Sequence, residues 1–416
     1  MNNKKINRIA QKLIDSIIFI KIFTLFRQHK DKNKKPAPMP SPETVGKILI
    51  IKLEGMGDSV YLLEIMHRLK TKYPNIKIDV LTTDKVSVFN IFGSSTGGFN
   101  VILINPLKLT GYYKTIKSIG KNGYDVIIDT TGMPVNIPLM LAFAKTSKAY
   151  IIGFDTLRIK KIIYERLENL SGNIHIFENY LNLFKIFDIS QTKKFTVNPP
   201  PELELNNKRG AAACSLKNIV LVLSSNSGGL MHRKLPLANS VKLIKLLKEE
   251  FKDYGISLLG GPGDYDYLEE IKNAAESEYG KRDIDIKIEK TKNIEEAMVL
   301  LNNSFLNICI DSGLMHISSL VNPATYCLFG YSNPQNSLPF NNVGYFWSHT
   351  DCSPCSFYKI SDCDNLKCME TIDVDAVTDD IKQYSKNKHI DSNNQAGYNT
   401  GGRSRHEAAS IDKRRS

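Results

Sequence analysis

The stretch KILIIKL, residues 47–53, is an almost unbroken apolar run, and runs of the same kind recur along the chain. IKIDVLT (76–82), VILI (101–104), YDVIIDT (124–130) and KAYIIGF (148–154) follow it, and a stretch with helical spacing over 58–71 separates the first two. Runs that are apolar at successive positions predict strands buried on both faces, and their alternation with helices predicts a covered parallel sheet. KAYIIGF reads as the last strand of this group. Periodicity is then lost over 189–217, which holds PPP at 199–201 and predicts a linker. The grammar restarts with NIVLVLS (218–224), an amphipathic helix over 236–251 (PLANSVKLIKLLKEEF), GISLLGGPGD (255–264), SFLNICIDSG (304–313) and ATYCLFG (324–330). A chain of 416 residues exceeds one ordinary core and suits two domains. The expectation is an α/β protein with two domains, 46–200 and 215–345, whose parallel sheets face a central cleft. A basic amphipathic leader occupies 1–45, a Cys-containing crossover segment 346–385 and a disordered tail 386–416.

Charge changes this picture only at the ends. Of the formal net charge of +12, residues 1–35 carry +8 and residues 386–416 carry +4, so the body between them is neutral. A nucleic-acid enzyme would place positive charge on the folded body, so no nucleic-acid partner is expected. The leader contains IIFIKIFTLF at 17–26, flanked by basic residues. The run is too short for a spanning helix, which needs ~20 apolar residues, and no small-residue cleavage site follows it. Its pattern suits a helix lying on an anionic membrane surface, with a solvated leader that touches nothing as the other reading.

Candidate chemistry gathers at strand ends, where open α/β sheets bind ligands. The first strand runs into Lys52-Leu53-Glu54-Gly55-Met56-Gly57-Asp58. Asp58, at the mouth of the following helix, is either a helix cap or a general base facing the cleft. The turn lacks the third glycine of a dinucleotide fingerprint, which weakens a dehydrogenase reading. In the second half, Ser224-Ser225-Asn226-Ser227-Gly228-Gly229 precedes His232-Arg233-Lys234. Small hydroxyl residues, glycines and two adjacent cations form either a phosphate-binding loop or an ordinary solvated one. Gly260-Gly261-Pro262-Gly263-Asp264 is a second tight turn. The sharpest element is Asp311-Ser312-Gly313-Leu314-Met315-His316, with a carboxylate at the strand tip, amides at a helix start and a first-turn histidine. His316 is either a ligand contact or a satisfied core residue.

These motifs together resemble glycosyltransferase family 9, the ADP-heptose:lipopolysaccharide heptosyltransferases. The resemblance runs through KILIIKLEGMGDSVYLLEIMHRLKTKYPNIKIDVLT, YDVIIDTTG, IIGFD, LSSNSGGLMHRKLP, LLGGPGD and IDSGLMHISSLVNPATYCLFGYSNP, covering roughly 46–375. It implies a GT-B-like fold of two Rossmann-like domains, an N-terminal acceptor domain and a C-terminal nucleotide-sugar donor domain. It also implies an inverting, metal-independent transfer of heptose from an ADP-linked donor to a lipid-linked saccharide of the lipopolysaccharide core or another cell-envelope glycan. By position, Asp58 resembles the catalytic base, and Ser224 and Ser225 the hydroxyls near the donor phosphates. Arg233 and Lys234 resemble the phosphate-binding cations, and Asp311, Ser312, Gly313 and His316 the residues holding diphosphate and sugar. Glu54, Leu235 and the SNSGG stretch depart from the family pattern and bear on which sugar and acceptor are used.

The resemblance places the protein in the cytoplasm, peripheral on the inner face of the membrane, with no cofactor needed for catalysis. Two rivals are a GT-B-fold nucleotide-sugar epimerase, which would need no lipid acceptor, and a degenerate transferase acting as an interaction protein. Finally, Cys352, Cys355, Cys363 and Cys368 have a spacing that can close a structural tetrahedral zinc site, with reduced thiols as the alternative.

Overall fold

The structure is a computed structural model; it describes residues 38–83, 88–93, 98–104, 115, 117–132, 149–157, 160–197, 217–225, 233–280, 284–348, 350–355, 363, 365 and 367–393. The leader over 1–35 and the loop 226–232 lie outside the described residues, as does the tail from 394.

The first sheet contains β1 (Lys47–Ile51), β2 (Lys77–Thr82), β3 (Asn100–Leu103), β4 (Val126–Asp129), β5 (Tyr150–Phe154) and β6 (Arg166–Glu168). The second contains β7 (Asn218–Val222), β8 (Gly255–Leu259), β9 (Ile286–Glu289), β10 (Leu306–Ile310), β11 (Thr325–Phe329) and β12 (Gly344–Trp347). Every pairing is parallel. The spatial orders are β3-β2-β1-β4-β5-β6 and β12-β11-β10-β7-β8-β9. Counted within each half, both are the doubly wound order 3-2-1-4-5-6. The order reverses between β1 and β4 in one sheet and between β7 and β10 in the other.

KAYIIGF is therefore not the last strand of the first sheet, since β6 pairs beyond it. The helices used below are α1 (Met56–Lys72), α2 (Ile176–Leu183), α3 (Leu237–Glu250), α4 (Tyr265–Tyr279), α5 (Ile294–Asn302), α6 (Gly313–Val321), α7 (Pro334–Ser337) and α8 (Val374–Asn393).

One apolar cluster joins the two sheets. It takes Ile48 and Ile50 of β1, Val60, Leu63 and Met66 of α1, Val220 and Val222 of β7, and Met315, Ile317 and Leu320 of α6. The strands alternate faces, so Leu49 and Ile51 point into a separate cluster on the far side of the first sheet. Ile219 and Leu221 likewise enter a cluster on the far side of the second. The shared face is what brings α1 and α6, and with them the two strand-end motifs, into contact.

The start of the expected linker is clamped to the first half. Glu64, fully buried on α1, accepts from the Thr196 amide at 2.7 Å and the Val197 amide at 3.0 Å. Arg68, one turn on, bonds Glu64 at 2.6 Å and donates to the carbonyls of Ser190 and Lys194. A buried carboxylate with this many donors is satisfied, where a lone one would be costly. The segment expected as a crossover instead packs Cys368, Met369, Ile372, Val374, Val377 and Ile381 into the core of the second sheet. Its helix α8 continues to Asn393, into the stretch expected as tail. Among the described residues, no helix is long and apolar enough to cross a membrane.

Candidate active site

Asp58 stands in the first turn of α1, but it does not cap the helix. The cap position is Gly55, in the left-handed region at φ 77°, and no side chain closes it. The Asp58 carboxylate is instead two-fifths exposed, with the Lys52 ammonium 3.8 Å away. Gly55 is required there on two grounds. Its φ disfavours any side chain, and a Cβ would lie 3.0 Å from Asp58 Oδ2 and 3.3 Å from Lys52 Nζ.

On the opposing sheet, Asp311 follows β10 and Ser312 caps α6, its hydroxyl accepting from the Met315 amide at 3.4 Å. Asp311 Oδ2 accepts from the Tyr331 hydroxyl at 2.9 Å. The Arg233 guanidinium lies over the Tyr331 ring, 5.1 Å from its centre. Its Nε is buried and has no hydrogen-bond partner among the described residues. A buried, unsatisfied guanidinium nitrogen is a donor that an anion can complete. Lys234 lies over the Tyr267 ring of α4 at 4.4 Å.

The two motifs meet at His316. A Cβ on Gly57 would lie 2.4 Å from His316 Cδ2, and one on Gly313 would lie 3.0 Å from the Met56 side chain. The N-termini of α1 and α6 therefore abut, and only glycines permit the approach. His316 Nδ1 is 3.0 Å from the hydroxyl of Tyr61, which also donates to the Ser337 carbonyl of α7. His316 Nε2 is 4.0 Å from Asp311 Oδ1. Burial pushes the His316 pKa down, while the Asp311 and Asp58 carboxylates pull it up and Arg233 lowers it further. Asp58 from one sheet and Asp311 and Arg233 from the other thus act on one imidazole. Each helix start carries a positive dipole end, which favours an anion close by.

The structure thus brings Asp58, Asp311, Ser312, Gly313, His316 and Arg233 together. Ser224 is placed differently. Its hydroxyl donates to Asp264 at 2.7 Å, and Asp264 in turn accepts from the Gly261 amide, so it ties two loops together. The Ser225 amide donates to the Arg233 carbonyl at 2.8 Å and holds that segment as a bridge beside Ser224 and Lys234. Tyr331, Tyr61, Tyr180 and Lys52 belong to the site and were not singled out from sequence. A cavity of about 420 Å³ opens elsewhere, against Trp347, Phe346, Asp373 and Asp380, and none of the residues above lines it.

Of the four cysteines expected as a clip, Cys352 is exposed, Cys355 and Cys363 are half-buried and Cys368 is buried. Among the described residues, no three His, Cys, Asp or Glu side chains are arranged to hold a metal ion. Cys309, Cys327, Cys352, Cys355, Cys363 and Cys368 form no disulfide. Cys368 is buried under Gly330, and its thiol is pushed up to about 11 by burial first and then by Cys355, Cys352 and Cys363. Cys368 is thus one of the core side chains of the second sheet.

Residues 112–362 match glycosyltransferase family 9 (heptosyltransferase). The chain is 25% identical over 307 residues to lipooligosaccharide heptosyltransferase 2 of Haemophilus influenzae, covering 71% of this chain and 86% of that protein. Its fold is similar to that of a family 9 glycosyl transferase of Veillonella parvula, with a TM-score of 0.67 at 15% identity over 83% of this chain and 98% of that one. It is also similar to E. coli ADP-heptose lps heptosyltransferase II, with a TM-score of 0.64 at 16% identity over 82% of this chain and 99% of that one. Two parallel six-stranded sheets on the GT-B plan accompany a family match over more than half of the chain: this protein belongs to glycosyltransferase family 9 and is a glycosyltransferase.

Proposed function

We propose that the protein transfers heptose, with inversion, from an ADP-linked donor to a lipid-linked saccharide of the lipopolysaccharide core. The observation that carries this reading is the abutment of the two helix N-termini, which sets Asp58 of one sheet against Asp311, Gly313 and His316 of the other. The names of the Haemophilus and E. coli relatives support heptose as the sugar and ADP as the nucleotide.

In this mechanism Asp58 removes the proton of an acceptor hydroxyl. The oxygen attacks the anomeric carbon from the face opposite the diphosphate, and the bond from that carbon to the diphosphate oxygen breaks. The departing diphosphate carries the growing charge. The Gly313 end of α6, the orphaned Nε of Arg233 and the neighbouring Lys234 stabilise it. These fixed cations and dipoles supply the charge that a divalent metal would supply, so the reaction is metal-independent in this scheme. Asp311 is held by Tyr331 to meet the donor sugar, and buried His316 positions Asp311 and Tyr61 around it. Residues 1–35 hold the enzyme on the anionic inner face of the cytoplasmic membrane, where a lipid-linked acceptor resides.

A nucleotide panel tests the donor. A ligand that binds only the folded state raises stability by RT ln(1 + [L]/Kd), about 2.7 kcal/mol at a hundredfold excess over Kd. ADP is expected to raise the melting temperature where GDP, UDP and CDP do not. A shift with UDP alone would replace the donor, and no shift with any of the four would remove the nucleotide-sugar reading.

A further inference from the structure

The proposed base has a neighbour with no assigned part in the chemistry. Lys52 follows β1, and its side chain is only 7% exposed. An ammonium so placed is costly unless it is paired. Its Nζ donates to the Tyr180 hydroxyl of α2 at 2.6 Å, and the same nitrogen lies 5.1 Å from the centre of that ring. Tyr180 is itself 1% exposed and cannot swing away. Among the described residues, the one carboxylate within ion-pair distance of Lys52 is Asp58.

The other charges nearby are committed or more distant. Asp129, at the end of β4 across the switch point, is fully buried and already pairs with Lys160 at 3.0 Å. It also accepts from the Thr131 amide at 2.9 Å and from the Tyr164 hydroxyl at 2.5 Å. Glu54 is exposed. Burial pushes the Lys52 pKa down, and Asp58, then Glu54, then Asp129 pull it back up. Asp58 is faced by Lys52 from the end of β1, by Tyr61 of its own helix, by Tyr180 of α2 and by His316 of α6. Burial holds the two tyrosines neutral and favours the neutral imidazole. Lys52 is then the cation of that set.

We infer that Lys52, anchored by Tyr180, is a positioning residue for sugar transfer: its buried ammonium holds the Asp58 carboxylate in place beside the cleft. The inference rests on the reading of Asp58 as the base. Tyr180 pins the ammonium, the bare backbone of Gly55 lets both groups approach, and the carboxylate stays two-fifths exposed. Without the ammonium the carboxylate is free to turn, so the loss should be read in kcat and not in the donor KM.

The test is kcat and donor KM for wild type, Lys52→Met, Lys52→Arg, Tyr180→Phe and Asp58→Asn, each checked by thermal melting. Lys52→Met is expected to lower kcat by about tenfold with the donor KM unchanged. Lys52→Arg, which keeps the charge, should restore most of kcat. Tyr180→Phe, which keeps the charge and loses its anchor, should lower kcat by less than Lys52→Met. A Lys52→Met enzyme with the wild-type kcat would overturn the inference. If Lys52→Met does not fold, Tyr180→Phe decides: a wild-type kcat overturns the inference. Asp58→Asn separates the two ideas. Full turnover in that variant removes the base itself, whereas a dead Asp58→Asn beside an unaltered Lys52→Met removes only the role of Lys52.

Discussion

Gly57→Ala puts a single methyl group at the point where the two halves of the site touch. The new Cβ would stand 2.4 Å from His316 Cδ2 and 3.3 Å from the Gly313 Cα. Carbon atoms rest at about 3.5–4.0 Å, so the two helix starts must separate by roughly 1 Å or more. His316 cannot simply rotate away, because it is 4% exposed and its Nδ1 is bonded to Tyr61. Overpacking of this kind costs about 1–3 kcal/mol, while replacing glycine by alanine inside a helix returns about 1 kcal/mol. The net loss of stability is therefore modest, about 0–2 kcal/mol. The effect on turnover is larger, because a displacement of ~1 Å between reacting groups can cost about a hundredfold in rate. The assay is sugar transfer under saturating donor and acceptor, with urea unfolding run in parallel. A variant that is stable within about 2 kcal/mol but about a hundredfold slower is the expected result. Turnover within about threefold of wild type would show that the spacing of α1 and α6 is not part of the chemistry.

Three further outcomes follow from the same geometry. Arg233→Ala and Asp311→Ala should each weaken ADP or donor binding in isothermal titration, the first through the diphosphate and the second through the sugar; unchanged affinities in both would move the donor site elsewhere. His175 accepts from the Phe177 amide on Nδ1 and donates from Nε2 to the Leu338 carbonyl, and burial pushes its pKa down to about 4. The unfolded chain then binds a proton near pH 6.5 that the folded one refuses. Stability is full above that pH and declines as pH falls toward 4, by at most about 3 kcal/mol. His175→Gln should flatten this slope in urea melts between pH 4 and 6.5, though not abolish it, since His316 is depressed too; identical slopes would contradict the assignment. Removal of residues 1–44 should abolish binding to anionic liposomes while a soluble acceptor analogue is still used, and wild-type liposome binding by the shortened chain would refute a role for the leader.

The sequence was legible where one residue's neighbours in the chain determine its setting. The strands β1, β4, β7, β10 and β11 are buried along nearly their whole length and read as continuous apolar runs. The edge strands β6, RLE, and β12, GYFW, are half-buried throughout, and β9, IKIE, alternates charge with isoleucine; none has the signature of a doubly covered strand. Asp58 and Asp311 could be found because a carboxylate at a strand end before a helix has a place in any open α/β sheet. Ser224 looked equally well placed, but its hydroxyl is committed to Asp264, forty positions away. Lys52 with Tyr180 and Tyr61 with His316 are contacts across 128 and 255 positions, and no local pattern announces them. The fate of the cysteine segment was hidden for a similar reason. Its spacing gives no sign that the apolar residues around Cys368 place that thiol in the second core.

The central claim is that Asp58 is the base in sugar transfer, and Asp58→Asn tests it most directly. The substitution keeps the shape of the side chain and removes its ability to accept the proton. The carboxylate caps no helix and is two-fifths exposed, so the variant should fold, melting below wild type only by what the buried Lys52 ammonium loses with its partner's charge. Its rate of transfer from ADP-heptose to a lipopolysaccharide-core acceptor, followed by labelled sugar, should fall by about 10²–10⁴. A folded Asp58→Asn protein that transfers sugar at the wild-type rate would contradict the account.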